Sequence, residues 1–128
     1  NYGATNFNEG LAEAAYRGRI EMVKTMLYYG ATDVNSAMKG ASYFGSIDCI
    51  NLFLKHGANN FNECLLEACN GGRQNIAEFM ISLGATDFNK GFSRACQYKL
   101  HIVMQLLFAK GATYCSYCIF PASLHRFA

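Results

Sequence analysis

Gly30-Ala31-Thr32-Asp33-Val34-Asn35 decides how this chain folds, because nearly the same six residues keep returning. Gly3-Ala4-Thr5-Asn6-Phe7-Asn8 precedes it, and Gly57-Ala58-Asn59-Asn60-Phe61-Asn62 and Gly84-Ala85-Thr86-Asp87-Phe88-Asn89 follow. Gly111-Ala112 opens a degenerate fifth copy. Every step is 27 residues, with no insertion or deletion. A fixed period of this size marks a stack of like supersecondary units, each burying its apolar face on the next. Such a stack is mostly extended surface, which points to recognition rather than chemistry.

Working outward from that stretch, each unit reads as two short helices. In the first unit, helix A covers roughly residues 7–17 and helix B roughly 20–29. Asn6, Asp33, Asn60 and Asp87 share the slot before helix A. Their side chains suit an N-cap, because they accept orphan backbone N–H groups. Glu9 and Glu63 add a capping-box pattern in two units. Phe7, Leu11 and Ala14 recur as Val34, Met38 and Ala41, as Phe61, Leu65 and Ala68, and as Phe88, Phe92 and Ala95. Steps of four then three place each set on one helical face. An alanine that never grows implies close approach of neighbouring helices. Helix B repeats its own apolar set, from Met22, Val23, Met26 and Leu27 to Val103, Leu107 and Phe108.

Gly18, Gly45 and Gly72 fall between the helices, where a left-handed turn favours a residue without Cβ. Lys99 takes that slot in the fourth unit, at an expected cost of about 1 kcal/mol if φ is positive there. Gly30 and its equivalents end helix B in the same way. Asn8, Asn35, Asn62 and Asn89 form an identical column. Their side chains are expected to bond backbone groups of a neighbouring turn rather than to form a binding ladder.

Length and composition bound the function. The 128 residues hold four units, about 3–29, 30–56, 57–83 and 84–110, and the fifth at 111–128, as a single repeat domain. With 52% apolar residues, disorder is not expected. The net charge is only +2 and no two basic residues are adjacent, so nucleic acid is not an expected partner. No apolar stretch approaches a membrane span. The chain begins inside a unit, with Tyr2 aligned to Tyr29, which suggests a fragment or processed product.

Six cysteines, Cys49, Cys64, Cys69, Cys96, Cys115 and Cys118, tempt a disulfide reading. The repeat frame argues for compact buried hydrophobes instead. Cys69 and Cys96 share the slot of Ala15, Ser42 and Ser123, and Cys64 and Cys118 share that of Gly10, Ala37 and Gly91. Reduced thiols and an intracellular setting are the expectation.

Gly18-Arg19-Ile20-Glu21-Met22-Val23-Lys24-Thr25-Met26-Leu27-Tyr28-Tyr29-Gly30-Ala31 resembles the ankyrin repeat's Gly-His-Leu-Glu-Ile-Val-Lys-Leu-Leu-Leu-x-x-Gly-Ala. Leu11-Ala12-Glu13-Ala14-Ala15 is similar to that family's Leu-His-Leu-Ala-Ala. The family unit runs to about 33 residues. The six-residue shortfall falls before helix A, where the family carries a β-hairpin finger, so the finger is expected to be reduced or absent. Short units with such Gly-Ala-Thr-Asp-x-Asn junctions are similar to ankyrin-like arrays encoded by large DNA viruses. The resemblance implies an all-α solenoid of antiparallel helix pairs that binds proteins through the concave face of helix A, with no catalysis and no cofactor.

Scaffold columns stay constant, whereas columns that change are free to read a partner. The changing slots of helix A hold Ala12, Glu13, Tyr16 and Arg17, then Lys39, Tyr43 and Phe44. Leu66, Glu67 and Asn70 follow, then Ser93, Arg94, Gln97 and Tyr98. Aromatic and Arg side chains are enriched at interfaces. The candidate partner-binding set is therefore Tyr16, Arg17, Lys39, Tyr43, Phe44, Leu66, Asn70, Arg94, Gln97 and Tyr98. The bland alternative is a solvated face with no partner.

Chemical motifs are sparse. Cys115-x-x-Cys118 lacks the two further ligands zinc would need, and apolar slots in a degenerate unit explain it. His56, His101 and His125 fall at unrelated slots, and Gly71-Gly72 is followed by no Lys-Ser/Thr pair. In the fifth unit Ile119 and Ala122 stay in register, while Pro121 falls inside helix A. Tyr114, Tyr117, Phe120 and Phe127 make that end greasy, so it either folds back over the last core face or meets another chain. The leading expectation is an interaction scaffold. The second is a structural subunit of a large assembly, and an enzyme comes third with no supporting motif.

Overall fold

The computed structural model describes residues 4–112, with side chains from residue 7 onward. The fifth unit's Tyr114, Cys115, Tyr117, Cys118, Ile119, Phe120, Pro121, Ala122, Ser123, His125 and Phe127 lie outside the described residues, as does the side chain of Asn6.

The described residues are all-helical. Eight helices occur in chain order: α1 (Ala4–Tyr16), α2 (Ile20–Tyr28), α3 (Val34–Phe44), α4 (Ile47–Lys55), α5 (Phe61–Asn70), α6 (Gln74–Leu83), α7 (Phe88–Gln97) and α8 (His101–Ala109). The expected helix pair therefore appears in each of four units. No strand occupies the junctions at 29–33, 56–60 and 84–87.

One backbone device ends the helices. Gly18 N–H donates to Ala15 O and Arg19 N–H to Ala14 O, at 3.1 and 2.9 Å. Gly30 and Ala31 do the same to Leu27 O and Met26 O, at 3.1 and 3.0 Å. These are the paired bonds of a Schellman turn, which needs positive φ at its left-handed residue. Gly30, Gly57, Gly84 and Gly111 all lie between +94° and +123°. The next residue, Ala31, Ala58, Ala85 or Ala112, is buried. The recurrent Gly-Ala is thus a left-handed turn followed by a small core residue. Lys99 adopts φ +58°, among the described residues the only non-glycine in that region.

The N-terminal ends are less uniform. Asp33 Oδ1 accepts from Ser36 N–H at 3.3 Å, as an N-cap should. Asp87 makes no side-chain cap bond. α1 starts at Ala4, so Asn6 lies inside the helix and is not its N-cap.

The chain divides into two compact units, Asn1–Asn60 and Phe61–Ala128. In the first, α1 packs on α2 and α3, α3 packs on α4, and α2 meets α4. In the second, α5 packs on α6 and α7, α7 packs on α8, and α6 meets α8. Leu11, Met38, Leu65 and Phe92 are sealed in the cores, with Ala14, Ala41, Ala68 and Ala95 beside them. A Cβ on Gly40 would stand 3.2–3.3 Å from Tyr16 backbone and Cβ atoms, so α3 lies tight on α1 there.

Cys49, Cys64 and Cys69 are buried thiols, Cys64 and Cys69 in small-residue slots as expected and Cys49 in the larger slot of Met22 and Ile76. Ser42, in the slot of Cys69, is buried with its Oγ donating to Met38 O at 2.8 Å. Cys96, in the same slot, is half-buried rather than sealed.

Candidate protein-interaction face

The asparagine column is structural. Asn8 Oδ1 accepts from Thr32 N–H and Asp33 N–H at 2.7 and 3.0 Å. Asn62 Oδ1 accepts from Thr86 N–H and Asp87 N–H at 2.6 and 2.9 Å. Asn35 Oδ1 accepts from Asn59 N–H at 2.9 Å, and Asn35 O accepts from Asn60 Nδ2 at 3.0 Å. Each carboxamide thus satisfies the junction that leads into the next helix A. A junction without a strand has no other backbone partner for these donors, and unpaired donors are costly.

Tyr16, Arg17, Tyr43, Phe44, Asn70, Arg94, Gln97 and Tyr98 fall at the C-terminal ends of the A helices, and Lys39 and Leu66 lie in the middle of theirs. In the first unit, Tyr16 closes α1, and Tyr43 and Phe44 close α3. Tyr16 and Tyr43 are 50% and 37% exposed, and their rings stack with centroids 5.4 Å apart. The 27-residue offset brings them together, because residues in one slot of adjacent pairs are neighbours. Phe44 is exposed on one side, while its ring lies over Gly18 so closely that a Cβ there would come within 2.2 Å. Phe44 therefore roofs the α1–α2 turn as well as facing outward. Arg17 is paired with Glu13 one helical turn earlier, and both side chains are largely exposed. Such a pair contributes little stability and is free to exchange partners.

In the second unit, Arg94 Nη1 donates to Asn70 Oδ1 at 2.7 Å, joining α7 to α5. Gln97 and Tyr98 are exposed at the end of α7. Lys39 and Leu66, which share a slot with Ala12 and Ser93, are all half-buried. The structure thus brings together Tyr16, Tyr43 and Phe44 in one unit, and Asn70 and Arg94 in the other. Among the described residues, no ring pair comparable to the tyrosine stack involves Tyr98.

Two exposed features escaped the reading of helix A. Tyr28 and Tyr29, at the end of α2, are 83% and 58% exposed and meet edge to face at 5.2 Å. Tyr29 also stacks on Phe7 at 6.0 Å. The available signal was their slot, which holds Lys55 and His56 one unit later. Met22 on α2 is also exposed, although Cys49, Ile76 and Val103 in its slot are sealed.

Electrostatics offer no reactive centre among the described residues. Burial pushes the Cys69 thiol up to about 12, against a smaller opposing pull from Arg94. Burial raises Cys49 as well, with Ser46 and Asp48 as lesser influences. A thiol raised in this way stays protonated and inert. No group of three or more His, Cys, Asp or Glu side chains converges as a metal site among the described residues. His56 and His101 are both exposed. No described helix is long and apolar enough to cross a membrane. Compared with known proteins, the chain matches no family model and no curated protein.

Proposed function

We propose that the chain is a non-catalytic protein-interaction module, an ankyrin-like solenoid of 27-residue helix pairs that binds a partner protein through the exposed ends of its A helices. The carrying observation is the Tyr16–Tyr43 stack, two exposed aromatic rings presented side by side on rigid helices. A preformed aromatic pair offers large contact area at small entropic cost, since few rotamers remain to be frozen. Arg17 and Glu13 flank it as exchangeable polar groups. Phe44 extends the apolar surface, and Arg94, Asn70, Gln97 and Tyr98 supply the corresponding face of the second unit.

The test compares proteins captured from cells by the full chain and by a Tyr16→Ser/Tyr43→Ser double variant. Both side chains are substantially exposed, so the variant should keep its helical content. A partner lost with the two tyrosines supports the reading. An identical captured set from both chains overturns it. The second reading, a structural subunit of a large assembly, is favoured by one observation: the uncovered apolar face of α1 and α2 around Met22.

A further inference from the structure

The two B helices of the first compact unit, α2 and α4, hold two adjoining hollows between them. One, of about 330 Å³, is lined by Ile20, Lys24, Asp48, Asn51, Leu52 and Lys55. The other, of about 280 Å³, is lined by Lys24, Leu27, Tyr28, Leu52 and His56. Lys24 and Leu52 belong to both, so the hollows run together as one groove. From Ile20 to Tyr28 it is about 12 Å long, at about 1.5 Å per helical residue.

Its floor is apolar and its rim is cationic. Ile20, Leu27 and Leu52 are half-buried, whereas Lys24, Lys55, His56 and Tyr28 are exposed. Lys24 meets Glu21 only loosely, at 3.8 Å, and Lys55 has no ion pair among the described residues. His56 commits Nδ1 to Leu52 O at 3.0 Å, which leaves Nε2 available. Tyr28 stands almost fully in solvent, yet it meets Tyr29 edge to face, and Tyr29 stacks on Phe7. The ring is therefore braced rather than loose. Asp48 is the one carboxylate that lines the first hollow, and none lines the second.

We propose that this groove docks a short acidic segment of a partner protein, with Asp or Glu residues flanking an apolar side chain. Charge complementarity decides the occupant. Lys24, Lys55 and His56 are sites for carboxylates, and lysines serve as point charges that need no bidentate geometry. The apolar floor takes the side chain between them, and Tyr28 packs along it. A uniformly anionic surface or a polyphosphate would also meet Asp48 and Glu21, whereas a short segment sets a neutral residue there. Two repeats on, the same slots line a hollow on α6 and α8, but Glu78 replaces Lys24, Ser82 replaces Tyr28, Ile102 replaces Asp48 and Ala109 replaces Lys55. The groove recurs while its charges do not, so the acidic segment belongs to the first unit. This surface is formed by B helices and is distinct from the Tyr16–Tyr43 pair, so it stands or falls independently of that face.

The experiment selects binders to the full chain from a random displayed library of peptides about 12 residues long. Selected sequences are then titrated as free peptides by fluorescence anisotropy. We expect them to combine Asp or Glu with Leu or Phe, and to bind more weakly as salt is raised. A Lys24→Glu/Lys55→Glu variant should bind them about tenfold or more weakly, and Tyr28→Ser should also weaken them. All three side chains are exposed, so circular dichroism should show parent-like folding. Tyr16→Ser/Tyr43→Ser should bind the same peptides as the parent does. Selected peptides without acidic residues, or acidic ones that bind the Lys24→Glu/Lys55→Glu variant as tightly as the parent, would overturn the proposal. So would peptides lost with the Tyr16 and Tyr43 changes alone. Phosphatidylserine vesicles or poly(U) RNA that displace the peptides and lose binding on charge reversal would overturn it too, since the groove would then read bulk anionic charge.

Discussion

The side-chain carbonyl of Asn62 accepts the Thr86 backbone N–H at 2.6 Å, across 24 residues of sequence. The same oxygen takes Asp87 N–H at 2.9 Å, and Asn8 repeats the pattern on Thr32 and Asp33. Asn8, Asn35 and Asn62 thus each tie an A helix to the junction that follows. Units this short lack a strand at the junction, and the asparagine supplies the polar contact a hairpin would otherwise supply.

Asn62→Ala should destabilise the chain by about 1–2 kcal/mol, because two junction donors lose their shared acceptor and water recovers part of the loss. Urea unfolding of the variant and the parent measures it. A midpoint within error of the parent would show that the asparagine column is not a tie.

Lys99→Gly should stabilise by about 0.5–1 kcal/mol. Lys99 sits at φ +58°, where three other units carry glycine. Relief of the Cβ strain outweighs the greater freedom glycine has when unfolded. Thermal melting checks the sign, and a lowered midpoint would mean that the lysine side chain makes compensating contacts.

Gly40→Leu should cost about 1–3 kcal/mol, since its side chain would press on the Tyr16 backbone, 3.2 Å from the first added carbon. Helix backbone cannot yield as a side-chain tip can. The ring current between Tyr16 and Tyr43, read by NMR, should change along with the stability. A stable variant with unshifted tyrosine signals would contradict the tight α1–α3 approach.

Above pH 9 the fold should weaken through its buried thiols. Cys69 is raised from 9.0 to about 12 in the folded chain, so the unfolded form ionises first. The stabilisation is complete below the unfolded value and is lost as pH climbs towards the folded one. Cys69→Ala, matching Ala15 in the same slot, should flatten the decline between pH 9 and 12 relative to the parent. Identical pH profiles would rule out this contribution. Below pH 9, Cys69 should also resist alkylation until the chain is unfolded.

Helix count and the turn glycines were legible because their causes are local. A Schellman turn is closed by residues no more than five apart, so Gly-Ala at a fixed period reveals both the end of helix B and the size of the unit. The small slots of Ala14, Ala41, Ala68 and Ala95 were equally legible, since a side chain held small in every copy reports a close neighbour. Even the strain at Lys99 followed from the frame. The cap at Asn6 did not: α1 runs past it to Ala4.

The candidate face was legible only as a list of changing columns. Which members act together depends on how one A helix lies against the next. That geometry stacked Tyr16 on Tyr43, tied Arg94 to Asn70 and folded Phe44 over Gly18. It left Met22 bare although its slot is sealed in every later pair. By itself the sequence determined the repeat length, the helices and the residues too small or too flexible to be anything but packing and turns, because those are matters of neighbouring backbone. Only the tertiary structure decided which distant side chains meet and which apolar face stays open, because contacts some two dozen residues apart exist only once one helix pair has settled against another.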